Sequence, residues 1–119
     1  MVYLLHKIKE RMIYMWIYRI NTDSDYRLCV VCKTEEQAVE VFKRDLDHFI
    51  AEYYESMEEF NQYYNYDKIL EEQSFEIEFE FGAWIEEENP LEVERRRIAP
   101  NCFDGWDTYT YEQYVKMGY

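Results

Sequence analysis

The hydrophobic and polar positions of the chain follow two different periods, one typical of strands and one typical of helices. Residues 12–20 read MIYMWIYRI, a run of aliphatic and aromatic side chains that is apolar on both of its alternating faces. This pattern predicts a central strand that is covered on two sides. The turn-forming residues 21–25 follow, and residues 26–32 then predict the second strand of a hairpin.

A helical period begins after Thr34, where Thr34 and Gln37 match a capping box. Apolar residues then recur every three or four positions, which predicts one amphipathic helix over residues 34–64. A break near residues 54–56, giving two shorter helices, is the alternative. The apolar stripe consists of Ala38, Val39, Phe42, Leu46, Phe49, Ile50, Tyr53, Met57, Phe60 and Tyr64.

The strictest alternation in the chain lies in residues 73–88, which read QSFEIEFEFGAWIEEE. Apolar residues occupy every second position from Phe75 to Phe81, and glutamates fill the positions between them. The pattern predicts a single strand with one face in the core and one acidic face, with a bulge or bend at Gly82.

The remaining segments predict short elements. Residues 65–72 read as a connection with at most a short turn of helix. Asn89, Pro90 and Glu92 predict the start of a short helix that ends near Arg97. We expect residues 101–108 to form a loop, and a second capping-box pattern predicts a last helix over residues 111–117.

Together these elements predict an α+β fold. A small, largely antiparallel sheet of three or four strands would pack on one long amphipathic helix, with short helices near the C-terminus. The length predicts that residues 1–119 form a single acidic domain. Residues 1–11 are interpreted either as a short amphipathic lead or as a flexible N-terminal extension.

The charge of the chain narrows the range of its partners. There are 26 acidic and 13 basic residues, a net charge of −13, and aromatic residues make up 19% of the chain. A disordered acidic tail would lack such aromatic content. Residues 45–94 hold 17 acidic side chains and one basic side chain, Lys68. Such a surface repels nucleic acid and anionic membranes and attracts basic proteins, so we expect a basic protein partner.

Cysteine usage predicts a reducing compartment. The chain has three cysteines and no secretory pattern, so we expect a cytoplasmic protein, in the host cell if a phage encodes it. Cys29 and Cys32 form a CxxC pair by spacing, but residues three apart on a strand point to opposite faces. We therefore interpret both as structural cysteines of the core.

Several residues imitate catalytic or metal-binding motifs without completing them. Asn21, Asp23 and Asp25 match the first ligand positions of a calcium loop, but Tyr26 replaces the required glycine and a hairpin turn is favoured. His6 and His48 stand without a motif. Asp104 and Asp107 are the best candidates for a metal-dependent hydrolase, which is the less favoured alternative. We expect a protein that is not an enzyme and has no cofactor or metal.

The acidic residues of the helix and of the predicted strand suggest a binding surface. Alternate strand residues lie about 6.6–6.8 Å apart, and each DNA strand carries one charge per about 3.4 Å of axis. Carboxylates interleaved with aromatic rings can therefore occupy a groove made for phosphates and bases. The expected partner-binding residues are Glu52, Glu55, Glu58, Glu59, Glu76, Glu78, Glu80, Trp84, Glu86, Glu87 and Glu88, with Trp84 as an aromatic anchor.

In composition and size the chain resembles small acidic phage and mobile-element inhibitors that mimic nucleic acid, such as antirestriction and anti-CRISPR proteins. The resemblance implies an inhibitor of a nucleic-acid-binding protein such as a host defence nuclease, and it implies no residue roles. The alternative is an immunity or antitoxin protein that neutralises a cationic nuclease toxin. Arg95, Arg96 and Arg97 are interpreted as intramolecular partners of the acids, and binding to the carboxylates of a partner protein is the alternative. The thirteen tyrosines leave a homodimer open.

Overall fold

The computed structural model describes residues 15–22, 27–78, 80–89, 97–99, 102–103 and 106–117. The described strands are β1 (Met15–Thr22), β2 (Arg27–Cys32), β3 (Ser74–Ile77), β4 (Phe81–Glu88), β5 (Arg97–Ala99), β6 (Cys102–Phe103) and β7 (Trp106–Thr110). The described helices are α1 (Glu35–Tyr53), α2 (Met57–Tyr63), α3 (Tyr66–Glu72) and α4 (Tyr111–Lys116).

The strands form one mixed sheet in the order β3-β4-β1-β2-β7-β6-β5. Its body consists of five strands, β3, β4, β1, β2 and β7, and the very short β6 and β5 extend it at one edge. The pair β2–β7 is parallel and the other pairs are antiparallel. The α+β class is confirmed, but the predicted sheet of three or four largely antiparallel strands was too small. The expected loop over residues 101–108 was wrong, because it contains β6 and the start of β7.

Residues 73–88 form a hairpin instead of the predicted single strand. β3 ends at Ile77, and the backbone N–H of Glu80 donates to the Ile77 carbonyl at 3.0 Å, which closes a tight turn. Ile77 then pairs with Phe81, and Gly82 pairs in regular register with Glu76, so no bulge is present there. This folding-back leaves β4 long enough to pair along the whole of β1.

The predicted long helix is broken near Tyr54, which confirms the alternative of two shorter helices. Tyr54 adopts an extended conformation, and Ser56 starts α2 by accepting a hydrogen bond from the Glu59 N–H at 3.1 Å. The Glu59 carboxylate accepts in turn from the Glu55 N–H at 2.7 Å. These reciprocal bonds satisfy backbone groups that a continuous helix would have paired internally, so the break is stabilised by local side chains.

Three other helix starts also have side-chain caps. Thr34 caps α1 as predicted, although the Gln37 side chain accepts from the N–H of Lys33 and not from that of Thr34. The last capping box, Thr110 with Gln113, is confirmed in full. Asn65 caps α3, a seven-residue helix where the sequence predicted little more than a connection.

Each of the four described helices buries residues in one core against the same face of the sheet. This core includes Tyr18, Leu46 and Phe60, none of which exposes measurable surface. On the opposite face of the sheet, Ile17 and Cys29 are fully buried and pack with Met15 and Trp106. β1 is therefore central and covered on both faces, as predicted.

Cys29 and Cys32 are both buried, and they belong to different cores. Cys32 lies in the core beneath the helices and Cys29 in the core on the other face. The predicted divergence of the CxxC pair is confirmed.

Some expectations fall outside the described residues. These are the N-terminal extension, the short helix after Asn89, and the residues His6, Asp23, Asp25, Arg95, Arg96 and Asp104. None of the described helices combines the length and the apolar character needed to cross a membrane.

Candidate functional site

Aromatic rings bring the end of α1, the start of α2 and the β3–β4 hairpin together. Tyr54, in the break between the two helices, packs edge-on against Phe60, with ring centroids 5.2 Å apart. Phe60 contacts Phe75 of β3 at 5.7 Å, and Phe49 of α1 stacks on Phe81 of β4 at 4.5 Å. Acidic residues near the helix break therefore come close to acidic residues of the hairpin turn.

The phenol of Tyr54 shows that two of these acids share one neighbourhood. Its pKa is raised by partial burial, then by the nearby Tyr64 hydroxyl, and further by Glu80 and Glu59. Negative charges nearby disfavour the phenolate, so both carboxylates act on the same hydroxyl. Glu59 belongs to α2 and Glu80 to the hairpin turn, so two acids from distant parts of the sequence lie around one side chain.

We call this region the acidic end, and it consists of Glu52, Glu55, Glu58, Glu59, Glu78 and Glu80. Five of its side chains are exposed, and Glu59 is half-buried. The ion pairs found among the described residues, Arg19 with Glu86 and Lys68 with Glu72, involve none of the six. Within the part of the chain that the structure describes, no basic side chain forms an ion pair with these six carboxylates.

The helix termini reinforce this charge. The last turns of α1 and α2 contain no basic residue, although the C-terminus of a helix carries a partial negative charge of its own. A protein under selection for stability alone would place lysine or arginine there. The like charges of the acidic end therefore lower the stability of the fold and favour the binding of a cation.

Exposed apolar side chains lie among these acids. Tyr53 is 66% exposed, Tyr63 is 69% exposed and Met57 is 38% exposed. Sequence reasoning assigned Tyr53 and Met57 to the buried stripe and did not single out Tyr63. The break at Tyr54 ends the helical period, so positions that continue the stripe in sequence leave the core in space.

The acids of the hairpin strands lie on two sides of the sheet. Phe75 and Phe81 face α1, so Glu76, which follows Phe75, lies on the opposite face. Glu86 and Glu88 of β4 share that opposite face, because they are in step with Gly82, the cross-strand partner of Glu76. Glu87 alternates with them and is exposed. The single acidic strand face expected over residues 76–80 is wrong, since only Glu76 of its three glutamates lies on a strand.

Trp84 and Glu86 have partners within the protein. The Trp84 indole donates to one Glu86 oxygen at 2.8 Å, and Arg19 donates to the other oxygen at 3.1 Å. Arg19 is only 5% exposed and also lies over the ring of Trp106, 4.9 Å from its centroid. The rings of Trp84 and Trp106 meet edge to face at 5.8 Å. Glu86 therefore neutralises a buried arginine.

A cavity of about 200 Å³ lies between α1 and the sheet, next to the acidic end. Its apolar lining comes from Ile20, Leu28, Phe49 and Phe81, and its polar lining from Asp45, His48, Glu52 and Tyr114. Glu52 belongs to both the cavity and the acidic end.

Asp45 is the most perturbed carboxylate of the cavity. One of its oxygens accepts from the Tyr18 hydroxyl at 2.7 Å, and the other accepts from the Tyr114 hydroxyl. Burial raises the pKa of Asp45, while the two hydroxyls and the charges of His48 and Arg44 oppose that rise. The result is a desolvated carboxylate whose charge is only partly compensated.

Asp107 and Cys32 are two of the candidates for metal or thiol chemistry that lie in the described part of the chain. No three histidine, cysteine or acidic side chains there are grouped so that they could hold a metal ion. Asp107 is exposed on β7, and Asp104 lies outside the described residues. Burial, together with Glu112 and Glu40, raises the pKa of Cys32 to about 12, so this thiol is not a nucleophile at neutral pH.

Comparisons of the chain with protein-family models, with curated proteins and with solved structures give no match.

Proposed function

We propose that this protein is a non-enzymatic inhibitor that binds a basic nucleic-acid-binding protein, such as a host defence nuclease targeted by a phage or mobile element. The observation that carries the proposal is the acidic end. Glu59 of α2 and Glu80 of the hairpin turn act on one phenol, and Glu52 of α1 lines the adjacent cavity together with Phe81 of the hairpin. No ion pair found among the described residues involves these acids. Its exposed tyrosines supply the aromatic component that a protein partner would otherwise find in nucleic acid bases.

The mechanism is competitive exclusion. A nucleic-acid-binding groove presents lysine and arginine side chains to phosphates and often aromatic rings to bases. The carboxylates of the acidic end would take the cationic sites, and Tyr53 and Tyr63 would occupy stacking positions. Electrostatic attraction would speed association, and salt would weaken it strongly.

An immunity or antitoxin protein that neutralises a cationic nuclease toxin is the second candidate. Met57, Tyr53 and Tyr63 favour it in one respect, because exposed apolar anchors suit a single folded partner. The two candidates differ in the site they block. A nucleic-acid mimic covers the groove itself, whereas an immunity protein can bind beside it.

The proposal is tested by capture and competition. The immobilised protein is exposed to lysate of a candidate host at low and at high salt, and the retained proteins are identified and purified. We expect a basic nucleic-acid-binding protein that high salt releases and that duplex DNA or RNA displaces. A partner that keeps nucleic acid and inhibitor bound together would favour the immunity function. Retention of no basic protein would overturn both.

Two triple variants with the same change of net charge locate the surface. In the first, Glu52, Glu58 and Glu80 become Gln. In the control, Glu36, Glu71 and Glu76, which are also exposed, become Gln. We expect the first variant to bind the partner about tenfold or more weakly, equal to about 1.4 kcal/mol, and the control to bind within about threefold of wild type. Equal losses would mean that net charge alone carries binding and that the acidic end is not the site.

A further inference from the structure

We propose that the cavity beside the acidic end is a binding site for the side chain of an arginine from the partner. This inference rests on the proposed function and specifies how the partner would be anchored. It follows from the lining of the cavity, its charge and its position.

The lining suits a long side chain that is apolar along its stem and charged at its tip. Ile20, Leu28, Phe49 and Phe81 provide apolar walls, and Asp45 and Glu52 add two carboxylates. Arginine and lysine bury their methylene stems against apolar surface and keep the charged group at a polar position. The cavity offers both kinds of surface within about 200 Å³.

The negative charge of the cavity lining favours the binding of a cation. Asp45 is half-buried, and it forms no ion pair with another described residue. Each of its two oxygens accepts one hydrogen bond from a tyrosine hydroxyl. A carboxylate has about four acceptor positions, so two remain for a further donor. Since burial disfavours the ionised form of Asp45, an entering cation would offset that penalty.

Arginine suits this arrangement better than lysine. Its guanidinium carries five N–H donors in a plane, so it can donate to two carboxylates at once. Its flat face also stacks on aromatic rings, and Phe49 and Phe81 already form a stacked pair in the cavity wall, with an interplanar angle of 22°. Lysine offers a compact ammonium without this planar contact.

The position of the cavity links it to the partner surface. Glu52 lines the cavity and belongs to the acidic end, and both Glu52 and His48 are exposed. An arginine on a basic protein that docks at the acidic end would therefore find the cavity within the same contact area. Buried arginines in such pockets are typical hot spots of protein interfaces.

The binding of small probes tests the site without the partner. Amide NMR spectra of the ¹⁵N-labelled protein are recorded during titration with n-butylguanidinium, n-butylammonium and neutral N-butylurea. We expect butylguanidinium to shift the resonances of Ile20, Leu28, Phe49 and Phe81 with a dissociation constant on the order of 1 mM. Butylammonium should bind more weakly, and butylurea should not shift these residues.

Variants then assign the binding to the cavity. Asp45→Asn should weaken butylguanidinium binding about tenfold, whereas Glu36→Gln, at an exposed position of the same helix, should leave it unchanged. His48→Trp changes an exposed residue and places a large ring at the cavity, so it should block the probe while the fold is kept. If Asp45→Asn fails to fold, His48→Trp decides the question.

Three results would overturn the proposal: no shifts in the cavity with butylguanidinium, equal binding of butylurea, or unchanged binding in His48→Trp. Equal or tighter binding of butylammonium would refute the choice of arginine. These outcomes are separate from those of the capture experiment. A basic partner can be captured while the cavity stays empty of probe, and then only the arginine site fails.

Discussion

The ring of Phe49 stacks on the ring of Phe81, with centroids 4.5 Å apart and planes inclined by 22°. This contact places the last turns of α1 over the β3–β4 hairpin. It also divides the acidic residues of the hairpin between two sites. Strand residues that alternate with Phe75 and Phe81 must point away from the helix. Glu76 and Glu86 thereby lie on the far face of the sheet, while Glu80 in the turn remains near the helix break.

Phe49→Ala should detach this end of α1 from the hairpin. Phe49 also packs against Phe75, at 6.2 Å, so several aromatic contacts are lost together. We expect the free energy of unfolding to fall by about 3 kcal/mol, measured by urea denaturation followed by circular dichroism. Tyr53→Ala, four residues further along the helix and 66% exposed, should cost less than about 1 kcal/mol. Equal losses would show that the stacking contact does not hold the helix in place.

The fold could be predicted where local chemistry decided the structure. The caps at Thr34 and Thr110 and the central strand β1 follow from side chains that are close in sequence. The failures involve longer-range choices. Apolar and acidic residues alternate over residues 73–88 as they would in one strand. A hairpin with three residues between Ile77 and Phe81 also places these two side chains on the same face of the sheet. The alternation therefore fits a single strand and a hairpin equally well. Pairing of β4 with the whole of β1 decides for the hairpin.

Glu86 should contribute to the stability of the folded protein, and Glu87 should not. The Glu86 carboxylate accepts from Arg19, whose side chain is only 6% exposed, and from the Trp84 indole. Glu86→Gln removes the charge that compensates the buried arginine, and we expect a loss of about 1–2 kcal/mol in urea denaturation. Glu87→Gln removes the same charge from an exposed side chain and should change stability by less than about 0.5 kcal/mol. A loss in Glu87→Gln as large as that in Glu86→Gln would contradict this assignment.

The candidate site could be predicted only in its charge. The excess of acids is visible in the sequence, but their distribution over two faces depends on how the helix lies on the sheet. Tyr53 and Met57 continue the apolar stripe in sequence and yet are exposed, because the break stabilised by Ser56 and Glu59 ends the helical period. The Ser56–Glu59 spacing matches a capping box, which is the signal that would have found the break.

Cys29 and Cys32 should be inert in the folded protein. Cys29 and Cys32 expose no measurable surface, and the pKa of Cys32 is raised to about 12 by burial and by Glu112 and Glu40. In a Cys102→Ser background, a thiol-specific disulfide reagent at about pH 8 should not react with the native protein within minutes, because thiolate is the reactive form. After denaturation in guanidinium chloride, both thiols should react. Rapid modification of either thiol in the native state would contradict the predicted burial.

Asp45 links stability to pH in the direction opposite to that of a salt-bridged acid. Burial raises its pKa in the folded protein above the ordinary value of 3.8, and the hydroxyls of Tyr18 and Tyr114 with the charges of His48 and Arg44 only partly oppose this. The folded state therefore retains the Asp45 proton in a range of pH where the unfolded chain has already released it. In that range, raising the pH favours unfolding.

Asp45→Asn removes the titration of residue 45, because the asparagine side chain does not release a proton in this range of pH. We expect the stability of wild type relative to Asp45→Asn to fall as pH rises from about 4 through the folded-state pKa of Asp45, and then to become constant. Urea denaturation of both proteins between about pH 4 and pH 8 measures the difference. Glu36→Gln, which removes one charge from an exposed position of the same helix, corrects for net charge. A difference that stays flat, or that grows with pH, would mean that the hydroxyls and cations around Asp45 outweigh its burial.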